Sequence, residues 1–127
     1  MPIKPATVAG VLGSIRVAFG VGALVAPGLS RKVMRLPAEH DNASGRLMAG
    51  LFAWREIALG AQILAARHDR ARLHQLAGVN ALVDLGDAAS NAVPLIRREG
   101  VDAGAGAMCV TALVGSAAWA YLRRLSA

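Results

Sequence analysis

The segment AGAGAMCVTALVGSAAWAYL, residues 103–122, runs for 20 residues without a charge. A helix in water shows the solvent a polar face, so this run suits surroundings that are apolar on every side. At 1.5 Å per residue it also matches the ~30 Å hydrocarbon layer of a bilayer. Trp119 and Tyr121 sit at its end, just before Arg123 and Arg124. Apolar span, aromatic belt and basic anchor in that order predict a membrane exit.

Three further apolar segments of similar length precede it, at 6–27, 44–66 and 75–96. Pro27-Gly28 stops the first, because proline cannot continue a helix and glycine tolerates the turn. The polar stretches RHDRARLH and RREGVDAG separate the others. The expected fold is therefore all-α, a four-transmembrane-helix antiparallel bundle in one domain spanning residues 1–127. Charged residues make up only 17% of the chain, against roughly a quarter in soluble domains. Within the first connection, GLSRKVMRL puts Leu29, Val33 and Leu36 on one helical face with the basic residues elsewhere. That pattern predicts a short amphipathic element lying on the bilayer surface. Lys4 and the apolar run after it resemble a signal peptide, but Arg16 interrupts what would be its uncharged core, so cleavage is not expected.

The formal charge of +6 is spread over short loops, with one Tyr, two Phe and two Trp in the whole chain. A nucleic-acid domain needs a clustered basic face and stacking aromatics, so lipid headgroups are the expected contact and nucleic acid is not. Basic residues do not orient the chain. Lys4, Arg67, Arg70, Arg72, Arg123 and Arg124 fall on one side, and Arg31, Lys32, Arg35, Arg46, Arg97 and Arg98 on the other. Cys109 is the single cysteine and reads as a buried structural thiol. His40, His68 and His74 fall in expected loops without metal-ligand spacing, and the serines lack a histidine at their depth. Asp84-x-x-Asp87 alone has too few oxygen ligands for magnesium. Neither a metal nor a cofactor is expected.

The third segment reads VNALVDLGDAASNA over residues 79–92. Asn80, Asp84, Asp87 and Asn91 recur at intervals of four, three and four, which places them on one helical stripe. An aspartate at mid-membrane costs about 2.5–3.5 kcal/mol on an insertion scale, so such a stripe must face a bundle interior and find partners. Arg16 lies near the centre of the first segment, and Arg55 and Glu56 near the centre of the second. Antiparallel packing brings these midpoints to one level. The expected pairs join Arg16 or Arg55 with Asp84 and Asp87, with Glu56 turned to Arg16 and Arg55 to the third helix. Arg46, further from the centre, is expected to reach toward the first loop. Two arginines against three carboxylates leave one carboxylate in excess, and Asp84 with Asp87 is the natural proton-sharing pair. Gly13, Gly20, Gly60 and Gly86 lie near these charges, where small residues let helices approach or leave room for a ligand.

LFAWREIALGAQILAARHDR followed by LVDLGDAAS, together with an arginine in a glycine-rich first span, resembles a family of small four-helix membrane proteins of actinobacteria and fungi whose function is unknown. The resemblance covers most of the chain. It implies the same architecture and draws attention to Arg16, Arg55, Glu56, Asp84 and Asp87, but it brings no activity.

Three functions are compatible with this layer. One is a non-enzymatic membrane protein that binds a small or lipidic ligand, with Asn80 and Asn91 among its contacts, or that supports other membrane subunits. Another is an intramembrane enzyme, an acid-base isomerase or epoxide-opening type, acting on a lipophilic substrate. Asp84 or Asp87 would be its acid or base, Arg16 or Arg55 its charge stabiliser, with Glu56 beside them. The last is a proton-coupled carrier, for which four spans would call for a homo-oligomer. A bacterial plasma membrane is the expected location.

Overall fold

The computed structural model describes the whole chain, Met1–Ala127. It is helical, with no strand: α1 (Pro5–Val25), α2 (Pro27–Val33), a 3-10 turn at Ala38–His40, α3 (Ala43–Ala66), α4 (Arg70–Arg97) and α5 (Asp102–Leu125). Local chemistry sets the boundaries. Pro5 opens α1 and Pro27 opens α2, where a missing N–H costs nothing. The Asn42 side chain accepts from Gly45 N at 2.9 Å and caps α3. The Asp69 side chain accepts from Arg72 N at 3.0 Å and caps α4. That cap draws most of RHDRARLH into the helix, so α4 starts five residues before the expected segment, and His74 is helical rather than in a loop. Pro94 is accommodated inside α4, one turn before its left-handed C-cap at Arg98.

The helices associate as two antiparallel pairs. In the first, α1 lies against α3 so closely that a Cβ on Gly60 would stand 2.7 Å from the Gly13 carbonyl oxygen. A Cβ on Gly20 would stand 2.5 Å from that of Ala53. In the second, Ser116 of α5 donates to the Ala81 carbonyl of α4 at 2.8 Å, and further along Cys109 Sγ approaches the Ala88 carbonyl at 3.6 Å. Cys109 is only half-buried, contrary to the expectation for a structural thiol. The pairs join at one end through a small apolar core of Ala9, Ile63, Leu73, Ala77, Trp119 and Leu122.

The distribution of polarity is inverted. Of the 12 buried hydrophobic residues, only Ile63, Leu73, Trp119 and Leu122 are larger than alanine, whereas Arg16, Glu56, Asn80 and Asp84 are buried. Large apolar side chains point outward on every long helix, among them Phe19, Leu51, Leu82 and Val114. Water would penalise that arrangement and lipid favours it. The helices α1, α3 and α5 are long and apolar enough to cross a membrane. Composition does not place α4 with them, because the Asn80–Asn91 stripe offsets its apolar residues. Its outer face is nevertheless apolar, with Val79, Leu82, Leu85, Val93 and Ile96 exposed.

Two peripheral expectations change. The amphipathic element forms as α2, with Leu29 and Val33 exposed, but the helix ends at Val33. Arg35 then takes a left-handed conformation (φ 55°). This turns Leu36 inward, so that a Cβ on Gly104 of α5 would stand 2.9 Å from Leu36 Cδ2. Trp119 is not part of an aromatic belt. It falls on the buried face of α5, seven residues beyond Ala112, and only Tyr121 is exposed.

Candidate functional site: a buried charged layer beside two cavities

The stripe on α4 meets both arginines. Arg16 reaches across from α1, its Nη2 2.7 Å from Asp84 Oδ1 and 3.1 Å from Glu56 Oε1, while its Nε faces Glu56 Oε2 at 3.0 Å. Arg55 grips Asp87 through two parallel bonds, Nη1 to Oδ1 at 2.9 Å and Nη2 to Oδ2 at 2.6 Å. Its Nη2 also lies 3.4 Å from Glu56 Oε1, so Glu56 links the two arginines. The guanidiniums stack on aromatic rings as well, Arg16 5.5 Å from the centre of Trp119 and Arg55 5.1 Å from that of Phe52.

These are the pairs expected from the sequence, with each aspartate given its own arginine. Asp84 and Asp87 therefore do not form an isolated proton-sharing pair; Glu56 shares the Arg16 guanidinium with Asp84 and that of Arg55 with Asp87. Arg46 stays outside the layer and meets Asp41 at 3.4 Å on the exposed side. Each of the five charged residues lies within four residues of its helix midpoint, about 5 Å along the axis.

Gly115 of α5 had no place in the sequence reading. A Cβ there would stand 2.5 Å from Asp84 Oδ2, so the glycine makes room for the carboxylate. Nothing in the uncharged fifth helix singled it out, because the requirement arises only once α5 lies on α4.

Two cavities open on the layer. The smaller, about 150 Å³, is bounded by Arg16, Glu56, Asp84 and Asp87, with Ile15, Phe19 and Trp119 among its apolar walls. The larger, about 540 Å³, lies beneath α2 and the connection to α3. Arg55, Asp87 and Asn91 line its inner part, Met34, Met48 and Met108 its sides, and Arg31 and His40 lie towards the loops. Phe52, Asp87 and Met108 border both cavities. The two asparagines differ. Each donates to a carbonyl one turn back in α4, Asn80 to Leu76 at 2.9 Å and Asn91 to Asp87 at 2.8 Å. Only Asn91 reaches a cavity; Asn80 is fully buried away from both.

Comparison with protein-family models, with curated proteins and with solved structures gives no match. The geometry is thus the ground for any functional reading. It can hold charge in an apolar interior, and it presents carboxylate and guanidinium groups to two cavities with apolar walls.

Proposed function

We propose that the chain is a four-span membrane protein, with α4 as its fourth span, that binds a small or lipidic ligand beside the charged layer. The observation that carries this reading is the 540 Å³ cavity reaching Arg55, Asp87 and Asn91 from beneath α2. Apolar walls with a few convergent polar groups are the usual character of a small-molecule site. Kinship with the small four-helix family of actinobacteria and fungi, and a place in a bacterial plasma membrane, belong to the same proposal. A role in holding other membrane subunits would use the outer helix faces and leave the cavity unexplained. The catalytic and carrier readings make Asp84 or Asp87 the working acid, and the pairing of each with its own arginine favours binding over both.

Native mass spectrometry of protein released from mild detergent tests the reading. The wild-type chain is expected to retain a lipophilic molecule, and Met108→Trp, which fills the space between the cavities, is expected to lose it. Equal retention by both proteins, or none by either after reconstitution with total membrane lipid, would count against the site.

A further inference from the structure

We propose that the ligand is a cationic amphiphile of the alkylamine type, whose ammonium group enters the smaller cavity beside Asp84. This rests on the ligand-binding reading above and extends it from the larger cavity to the smaller, which meets it at Phe52, Asp87 and Met108.

Charge balance is the first support. The layer holds two guanidiniums, Arg16 and Arg55, and three carboxylates, Glu56, Asp84 and Asp87. Arginine keeps its proton in proteins. With every group ionised, the layer carries one uncompensated negative charge in an apolar interior. A proton or a cation must offset it. The ionisable residues lining the smaller cavity are Arg16, Glu56, Asp84 and Asp87, and α5, which closes one side, brings none.

Geometry is the second support. Arg16 takes Asp84 Oδ1, but no hydrogen-bond donor of the protein engages Oδ2. Gly115 makes room for that oxygen, and both Asp84 and Gly115 line the smaller cavity. A carboxylate oxygen has lone pairs for further donors, and an ammonium group supplies donors together with the missing positive charge. Ile15 and Phe19, both exposed on the outer face of α1, border the same cavity and provide apolar surface for a hydrocarbon tail.

The proton need not come from outside. A neutral amine crosses hydrocarbon more readily than an ammonium ion. At the layer its nitrogen lone pair takes the proton of the surplus carboxyl, so that an N–H bond forms as the O–H bond breaks. The result is an ammonium ion beside a carboxylate. An anionic amphiphile would add to the negative excess, and a neutral alcohol would leave it unchanged.

The test compares dodecylamine, dodecanol and dodecanoate binding to the full chain in zwitterionic lipid nanodiscs. Trp119 fluorescence is read in a Trp54→Phe background, with empty nanodiscs correcting for partition. Dodecylamine is expected to bind about tenfold more tightly than dodecanol, as for a ligand that gains a buried ionic contact, and dodecanoate least. In Glu56→Gln, which balances the layer at two charges of each sign, the amine-to-alcohol ratio is expected to fall toward one. Asp84→Asn makes the same change of charge and serves if Glu56→Gln does not assemble. Equal or tighter binding of dodecanol or dodecanoate by the wild-type protein would overturn the cationic assignment and leave ligand binding standing. No saturable binding of any of the three would overturn the smaller cavity as a ligand site, while retention of a lipophilic molecule in the mass spectrometry decides the larger one.

Discussion

Arg16 in α1 and Asp84 in α4 meet at 2.7 Å across the interface between the two helix pairs, both buried. Their contact, together with that of Arg55 and Asp87, joins pairs that otherwise share mainly a small apolar core at one end. Desolvating two charges offsets much of their attraction, so the value of such a contact lies less in net stability than in the cost of leaving one partner alone.

Arg16→Met is accordingly expected to destabilise the protein by about 3–5 kcal/mol, because Asp84 loses its only cation and Glu56 the nearer of its two. Adding Glu56→Gln and Asp84→Asn to Arg16→Met removes the stranded carboxylates, and this triple variant is expected to recover much of that loss. Denaturation in mixed micelles, followed by far-ultraviolet circular dichroism, measures both. An Arg16→Met protein as stable as wild type would show that the pair organises nothing.

Arg55→Lys tests geometry at constant charge. The guanidinium makes two parallel bonds to Asp87, which an ammonium group cannot reproduce. Arg55 is partly exposed, so a smaller loss is expected than at Arg16, about 1 kcal/mol. The same denaturation assay reads it, and a loss larger than that of Arg16→Met would reverse the assigned order of the two pairs.

Glycine substitutions should divide by location. Gly115→Val pushes against Asp84 Oδ2, and Gly60→Val against the Gly13 carbonyl and Val17, so both are expected to lower stability. Gly86 has open space around its Cβ position. Gly86→Ala is expected to raise stability by about 0.5–1 kcal/mol through helix propensity and a less flexible unfolded chain. Melting temperatures of the three variants check the sign of each effect.

The location of the termini separates three spans from four. With α4 crossing the bilayer, both termini lie on one side. Reporter fusions at Met1 and Ala127 are expected to agree, and opposite locations would leave α4 outside the membrane.

The periodicity of Asn80, Asp84, Asp87 and Asn91 was legible because it repeats along a single helix, and the level of Arg16, Arg55 and Glu56 followed from their central positions. The partner of each aspartate was narrower than the sequence could specify, since Arg16 and Arg55 are equivalent by depth alone. The cavities were not legible at all. They depend on how α2 and the left-handed Arg35 fold the first connection over the helix ends, and on a glycine at 115 whose neighbour lies on another helix. Trp119 looked interfacial by its place in the chain. Its position around the helix, in line with Ala105 and Ala112, decides its burial instead.

The most direct test of a charged layer held midway through a lipid-facing shell is the depth of Leu82, which points outward from α4 close to Asp84. A nitroxide attached at Leu82→Cys, in a Cys109→Ser background reconstituted in vesicles, reports this as its relative accessibility to oxygen and to a water-soluble nickel chelate. The expected result is high oxygen and negligible nickel accessibility, placing the label near the bilayer centre. Free access by the nickel chelate would contradict it.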